Sequence, residues 1–264
     1  MVRTHAAQGN AKAQYVLGLM YAKGRGVPQD YPKARQWYEK AAAQGRPDAQ
    51  VTLGWMYYNG DSVPQDYATA RRWFEKASAQ GDALAQNNLG SMYLSGLGVP
   101  QDYTKARQWF EQAAAQGLAQ AQSVLGTMYY TGLDVPQDYT KARQWFEQAA
   151  AQGNAGAQVY LAELYYKGLG VPPDYGKARQ WFEQAAAQGN PIAQSMLGWL
   201  YSEGHGVPQD YVRAYMWYNL GAAHLLGKIA ADNRDKLARR MTPAQIAEAQ
   251  QLAQQCQAQQ FKGC

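Results

Sequence analysis

The stretch VPQDYTKARQWFEQAAAQG occupies residues 99–117, and the same nineteen residues return unchanged at 135–153. The two copies lead into different sequences: LAQAQSVLGTMYYTGLD after the first, NAGAQVYLAELYYKGLG after the second. The copies lie 36 residues apart, and Gly9, Gly45, Gly81, Gly117, Gly153 and Gly189 keep that spacing, as do Asp30, Asp66, Asp102, Asp138, Asp174 and Asp210. A fixed period of this size marks an array of stacked units and overrides any estimate of domain number from length. Six units open at Asn10, Arg46, Asp82, Leu118, Asn154 and Asn190, covering 10–45, 46–81, 82–117, 118–153, 154–189 and 190–225. Residues 1–9 read as the end of a partial preceding unit, and 226–264 as capping helices of different character.

Each unit reads as two helices. In the second, Pro47 suits a first helical position, and Ala49, Leu53, Met56 and Tyr57 recur at helical spacing until Gly60 supplies a left-handed stop. Val63 precedes a proline and is therefore extended. Asp66 caps the second helix, whose apolar face is Ala70, Trp73, Phe74 and Ala77. No alternating strand pattern intervenes. One such pair buries too few side chains to stand alone, so the pairs are expected to stack into a right-handed α/α superhelical solenoid of antiparallel helix pairs. The invariant half is then scaffold, with Trp37, Trp73, Trp109, Trp145, Trp181 and Trp217 expected to fill the same core position six times.

The pattern AQxxLGxMYxxGxGVPQDYxKAxxWFExAAxxG resembles the Sel-one-like repeat, a relative of the tetratricopeptide repeat with a longer connector. Its Leu-Gly-x-x-Tyr core stands at Leu53, Gly54 and Tyr57 and again at Leu89, Gly90 and Tyr93; Ala162 replaces the glycine in the fifth unit. The match runs from about Asn10 to Ala223, and AYMWYNLGAAH with RRMTPAQIAEAQQLA resembles the closing segment of many bacterial members. The resemblance implies a non-enzymatic adaptor fold. It names no partner.

Comparison of the units with one another isolates a variable stripe on the first helix, at positions three and four residues apart. It holds Tyr15, Leu19 and Ala22; Val51, Trp55 and Tyr58; Asn87, Ser91 and Leu94; Ser123, Thr127 and Tyr130; Val159, Glu163 and Tyr166; Ser195, Trp199 and Ser202. By resemblance to tetratricopeptide arrays, this stripe lines a concave groove where ligands dock. Trp55, Tyr58, Tyr130, Tyr166 and Trp199 are of the type that anchors interfaces. The bland alternatives are a tolerant solvated face, or packing of the equivalent Tyr58, Tyr130 and Tyr166 on the adjacent unit.

Of the net charge of +5, residues 226–264 carry +3, with six basic and three acidic side chains, so the repeats are nearly neutral. The stripe has one formal charge, Glu163, the wrong lining for a phosphate backbone. Nucleic acid is therefore not expected as a partner. The stripe also lacks the lysine and asparagine cluster with which some tetratricopeptide grooves grip a carboxylate. An uncharged, aromatic-bearing groove suits an extended peptide of a partner protein or, alternatively, an envelope glycan stacking on Trp55 and Trp199.

No catalytic constellation, metal site or cofactor motif is legible. His5, His205 and His224 are scattered, and GRG, GLG and GHG lie in connectors with no GxxxxGK[ST] after them. Cysteine-rich members of the family have been linked to β-lactam binding, but their paired repeat cysteines are missing here. Only Cys256 and Cys264 occur; Cys256 reads most simply as a buried thiol on a last helix capped by Thr242 and Gln245, with a bridge to Cys264 as the alternative. MVRTHAAQG has no apolar core of a signal peptide, yet THAAQG matches the end of a second helix. The expectation is a chain that begins inside a unit, periplasmic or secreted if an upstream signal is missing and otherwise cytoplasmic, with no membrane insertion.

Overall fold

The computed structural model describes residues 1–224, 227–261 and 263–264, and these contain fifteen helices and no strand. They fall into two compact units, Met1–Ala121 and Gln122–Cys264. The first holds α1 (Val2–Ala7), α2 (Ala11–Lys23), α3 (Tyr31–Ala43), α4 (Pro47–Asn59), α5 (Tyr67–Ser78), α6 (Ala83–Ser95) and α7 (Tyr103–Ala115). Most of α8 (Ala119–Thr131) lies in the second, along with α9 (Tyr139–Ala151), α10 (Ala155–Lys167), α11 (Tyr175–Ala186), α12 (Pro191–Glu203), α13 (Tyr211–Ala222), α14 (Lys228–Ala238) and α15 (Pro243–Ala258). Within each unit consecutive helices pack in series: α2 on α3, α4 on α5 and α6 on α7 in the first, α10 on α11 and α12 on α13 in the second. The junction placed at 225/226 from the sequence falls on residues outside the described ones.

Fixed residues set the helix ends. Asp30, Asp66, Asp102, Asp138, Asp174 and Asp210 each accept from the amide three residues on, as expected of caps. Around Asp66 the hydroxyl and amide of Thr69 hold the carboxyl below its ordinary value of 3.8. Because that pKa is depressed, the cap's stabilisation is in place above the ordinary value and is lost as pH falls through the lowered one. The preceding glutamine has a second job. The side-chain amides of Gln29, Gln65, Gln101, Gln137 and Gln209 donate to the carbonyls of Ala22, Tyr58, Leu94, Tyr130 and Ser202, satisfying otherwise free carbonyls at the first helix's C-terminus. This explains why VPQD recurs almost unchanged. In the fifth connector Pro173 replaces the glutamine.

The core position in the second helix belongs to the neighbour of each tryptophan. Phe74, Phe110 and Phe146 are fully buried, each over a glycine of the first helix: Gly54, Gly90 and Gly126 respectively. A Cβ added at Gly90 or Gly126 would lie only 2.8 or 2.5 Å from the ring, and one at Gly54 closer still. The glycine of Leu-Gly is thus a seat for a ring. Trp37, Trp73, Trp109, Trp145 and Trp181 are only half-buried, which corrects the expectation that they fill the core; Trp217 alone is buried, at 4% exposure. Trp73 and Trp109 lie against the edges of core clusters, and the ammonium of Lys76 sits 4.2 Å from the Trp73 ring centroid.

A buried glutamine ladder escaped sequence reading. Gln14, Gln50, Gln86, Gln122, Gln158 and Gln194 are all buried. Gln50 donates to the carbonyl of Ala42 at 3.2 Å and accepts from Gln80 at 2.9 Å, so one amide ties α4 to the preceding α3 and to the residue closing α5. Gln44 to Gln14, Gln116 to Gln86, Gln152 to Gln122 and Gln188 to Gln158 repeat the second bond. At Gln194 the carbonyl oxygen has no partner among the described residues, because the period puts His224 where other units have glutamine. Replacing Gln50 by leucine, similar in volume, should cost about 0.5 to 1.5 kcal/mol, the net worth of the lost hydrogen bonds, because the Ala42 carbonyl keeps the Gly45 amide and the exposed Gln80 amide keeps the Lys76 carbonyl. Urea denaturation measures this; wild-type stability would show that the clasp contributes nothing net.

At the C-terminus, Ala230 and Leu237 of α14 with Ala249, Ala253 and Cys256 of α15 share one buried cluster with Met216, Trp217, Tyr218 and Leu220 of α13. A capping box of Thr242 and Gln245 opens α15. Cys256 is bridged to Cys264, the alternative rather than the simpler of the two readings.

Candidate functional site

In the first unit the stripe runs over α2, α4 and α6. Tyr15, Leu19, Tyr58, Asn87, Ser91 and Leu94 are half-buried, Trp55 is 41% exposed, and Val51 is buried at 8%. Val51 therefore belongs to the core cluster of Phe74 and Leu89 and not to a ligand face, a correction to the sequence reading. The ring of Tyr58 stands edge-on to Tyr67 at 5.1 Å and to Trp55 at 5.1 Å, which leaves the outer part of the Trp55 indole as the most open aromatic surface of the stripe. The Ser91 hydroxyl turns inward to the Asn87 carbonyl, 3.1 Å away.

In the second unit the stripe runs over α8, α10 and α12. Ser123, Thr127, Tyr130, Val159, Glu163, Tyr166, Ser195 and Trp199 are half-buried, whereas Ser202 is buried at 6% and bonded to the Trp199 carbonyl, so it too is withdrawn from the stripe. Thr127 and Ser195 donate to carbonyls one turn back, at 3.0 and 2.8 Å. Glu163, the formal charge of the stripe, is paired with Lys167 and lies beside Tyr130, whose pKa is pushed up by burial first and by that carboxylate second. The face is consequently close to neutral. Tyr130 packs on Tyr139 and Tyr160, and Tyr166 on Tyr175 and Trp199, so these rings do pack on neighbouring helices while keeping one side open. Trp199 is also stacked on His205, with ring centroids 4.7 Å apart and planes 13° apart. His205 is missing from the stripe as read from the sequence, because it sits in a connector.

Clefts open between successive first helices. In the first unit a cavity of about 470 Å³ lies between α2 and α4, lined by Ala22, Tyr31, Tyr38, Thr52 and Met56. In the second, Val159, Glu163 and Tyr166 of α10 face Ile192 and Met196 of α12 across about 240 Å³, with Phe182 contributing to the wall. Beside α14, Trp199, Tyr218, Glu203, Lys236 and Arg240 line a further 250 Å³. Such volumes suit individual side chains or small molecules. Tyr38 and Phe182 hold the same position in their repeats, so the clefts share a wall that the stripe alone does not reveal. The available signal was the departure of Tyr38 from the phenylalanine of four other units. Among the described residues no group of three or more His, Cys, Asp or Glu side chains is placed to hold a metal ion, and no helix is long and apolar enough to cross a membrane.

A profile of the Sel1 repeat family matches residues 11–45, 47–82, 83–118, 119–154, 155–190 and 191–224. Among solved structures, a Sel1 repeat protein from Oxalobacter formigenes is 37% identical, with a TM-score of 0.78 over 82% of this chain and 89% of that one. A putative Sel1 repeat protein from Klebsiella pneumoniae subsp. pneumoniae (23% identity, TM-score 0.51, 77% and 99% covered) and the immunity protein Pa5087 from Pseudomonas aeruginosa (21%, 0.52, 84% and 83%) share the fold. No curated protein matches the chain.

Proposed function

Since the chain belongs to the Sel1 repeat family, a non-enzymatic scaffold type whose members are generally protein-interaction scaffolds, we propose that it binds an extended peptide segment of a partner protein along the first-helix stripe. The observation that carries this reading is Trp55, 41% exposed on a helix whose other large side chains are at least partly buried. Exposing an indole forgoes burial worth a few kcal/mol, about 1.5 to 3 for a large apolar side chain. A cleft in each unit supplies a recess for a side chain, and near-neutrality favours apolar and backbone contacts over charge pairing. The partner is thus expected to present an uncharged, partly aromatic segment.

Affinity capture with mass spectrometry, comparing wild type with Trp55→Ala, tests this directly. The variant should melt only slightly lower, because Trp55 is 41% exposed and meets the rings of Tyr58 and Phe74 edge-on, and should weaken the captured partner by at least about 1 kcal/mol. Trp199→Ala should weaken binding too but also lower stability, since its ring is held between Tyr166 and His205. Equal capture of the partner by Trp55→Ala would remove the stripe as the docking face.

A further inference from the structure

The cleft between α2 and α4, about 470 Å³ against about 240 Å³ between α10 and α12, differs from the latter at one first-helix position, Ala22 in place of Tyr166. At the equivalent position the other units carry Tyr58, Leu94, Tyr130, Tyr166 and Ser202, and the three tyrosines each lay their ring against the tyrosine that opens the next helix, at 5.1 Å on Tyr67, 5.4 Å on Tyr139 and 5.6 Å on Tyr175. The first unit has Ala22 there. Its Tyr31 lacks that internal ring and is 49% exposed, and the cavity of about 470 Å³ opens beside the two residues. Wherever the chain furnishes a ring of its own, that ring is a phenol.

The same cavity carries a second peculiarity. Its wall includes Tyr38 where Phe74, Phe110, Phe146 and Phe182 stand in four other units and Tyr218 in the sixth, and Tyr38 is buried at 3% exposure. Its hydroxyl has no hydrogen-bond partner among the described residues, and burial first and the nearby Tyr15 second push its pKa up to about 12. Of the other polar groups around the cavity, the Thr52 hydroxyl donates to the Asp48 carbonyl, Tyr31 accepts from Gln29 and Asp61 accepts from Asn59, while Ser62 stands exposed at the rim. The hydroxyl is not fully enclosed, so a ligand in the cavity can reach it and pair with it.

We propose that this cavity is a specificity pocket for a tyrosine side chain of the partner, whose phenol ring packs on Tyr31 as Tyr58 packs on Tyr67 and whose hydroxyl pairs with Tyr38. The proposal deepens the scaffold reading by naming the residue the groove selects, and it rests on that reading for its peptide context. Met56 and Ala34 supply the apolar wall, and no cation lines the cavity, so an acidic or phosphorylated side chain is excluded by chemistry as well as by the neighbouring Asp61.

The test uses p-cresol, the tyrosine side chain as a free molecule, with toluene as control, titrated into the full chain and followed by NMR of the tyrosine rings and methionine methyls. Wild type should bind p-cresol saturably, with a Kd in about the millimolar range expected of so small a ligand, shifting Tyr31 and Met56 signals. Ala22→Tyr should fold and lose that binding at least tenfold, because the chain then fills its own pocket; Ala22→Leu, the residue natural at position 94, provides the same block should the tyrosine variant misfold. Tyr38→Phe should weaken p-cresol at least fivefold and leave toluene unchanged. Absence of saturable binding, binding that survives both Ala22 variants, or equal affinity for toluene and p-cresol in wild type would each overturn the proposal. Saturable p-cresol binding with partner capture indifferent to Trp55→Ala would leave the pocket standing and sink the stripe.

Discussion

Phe110→Ala should lose about 3 to 5 kcal/mol of unfolding free energy, whereas Trp109→Ala, one residue earlier, should lose no more than about 1 to 2. The Phe110 ring is fully buried and seated on Gly90, so its removal opens a cavity against a residue with no side chain to move in. Trp109 is half-exposed and touches only the rim of the cluster around Phe74 and Leu89. Urea denaturation followed by far-UV circular dichroism would separate the two. Equal losses would put the indole in the core after all.

Deleting residues 227–264 should have the largest effect of any change considered. In α13 Trp217, Tyr218 and Leu220 are 4%, 3% and 1% exposed, and α14 and α15 are what pack on that helix in place of a further repeat. Re-exposing three large apolar side chains forfeits on the order of 5 kcal/mol, more than a terminal helix pair can lose and remain docked. The truncated chain should aggregate, or should fray from α13 inward with loss of amide protection there first. Size-exclusion chromatography and hydrogen exchange read both outcomes; a soluble monomer with unchanged melting would contradict the capping role.

The period, the helix pairs, the aspartate caps and the capping box of α15 were all legible, because each is a local rule written in a few adjacent residues. Trp109 and Phe110 show where local reading stops. Adjacent residues on a helix point about 100° apart, so only one of a Trp-Phe pair can face the partner helix. Recurrence at a fixed spacing cannot say which. The choice is made by Gly90, 20 residues earlier in sequence and in contact only after folding. Gln50 was missed for the opposite reason: a polar residue reads as surface until its two partners, 8 residues before it and 30 after it, are brought to it. In the candidate site, the periodicity of the stripe was readable, but the loss of Val51 and Ser202 to the interior and the addition of Tyr31, Tyr38 and His205 depend on how second helices and connectors meet it.

The spacing of the glutamine clasps bears on how such a chain can change length over evolutionary time. Each bond joins an element to residues at fixed offsets, and the amino-acid sequence contains a nineteen-residue segment in two identical copies, at 99–117 and 135–153. A misaligned crossover between the copies would excise or duplicate 36 residues in frame. The product would still present glutamine to alanine carbonyl and glutamine to glutamine at the same offsets, and a phenylalanine to each glycine seat. Copy-number change is therefore structurally silent inside the array, while it moves every stripe residue beyond the crossover one repeat nearer to, or further from, the α2–α4 cleft along the chain. Gain or loss of a unit would change how many stripe positions the chain offers while each retained unit keeps the contacts that hold it.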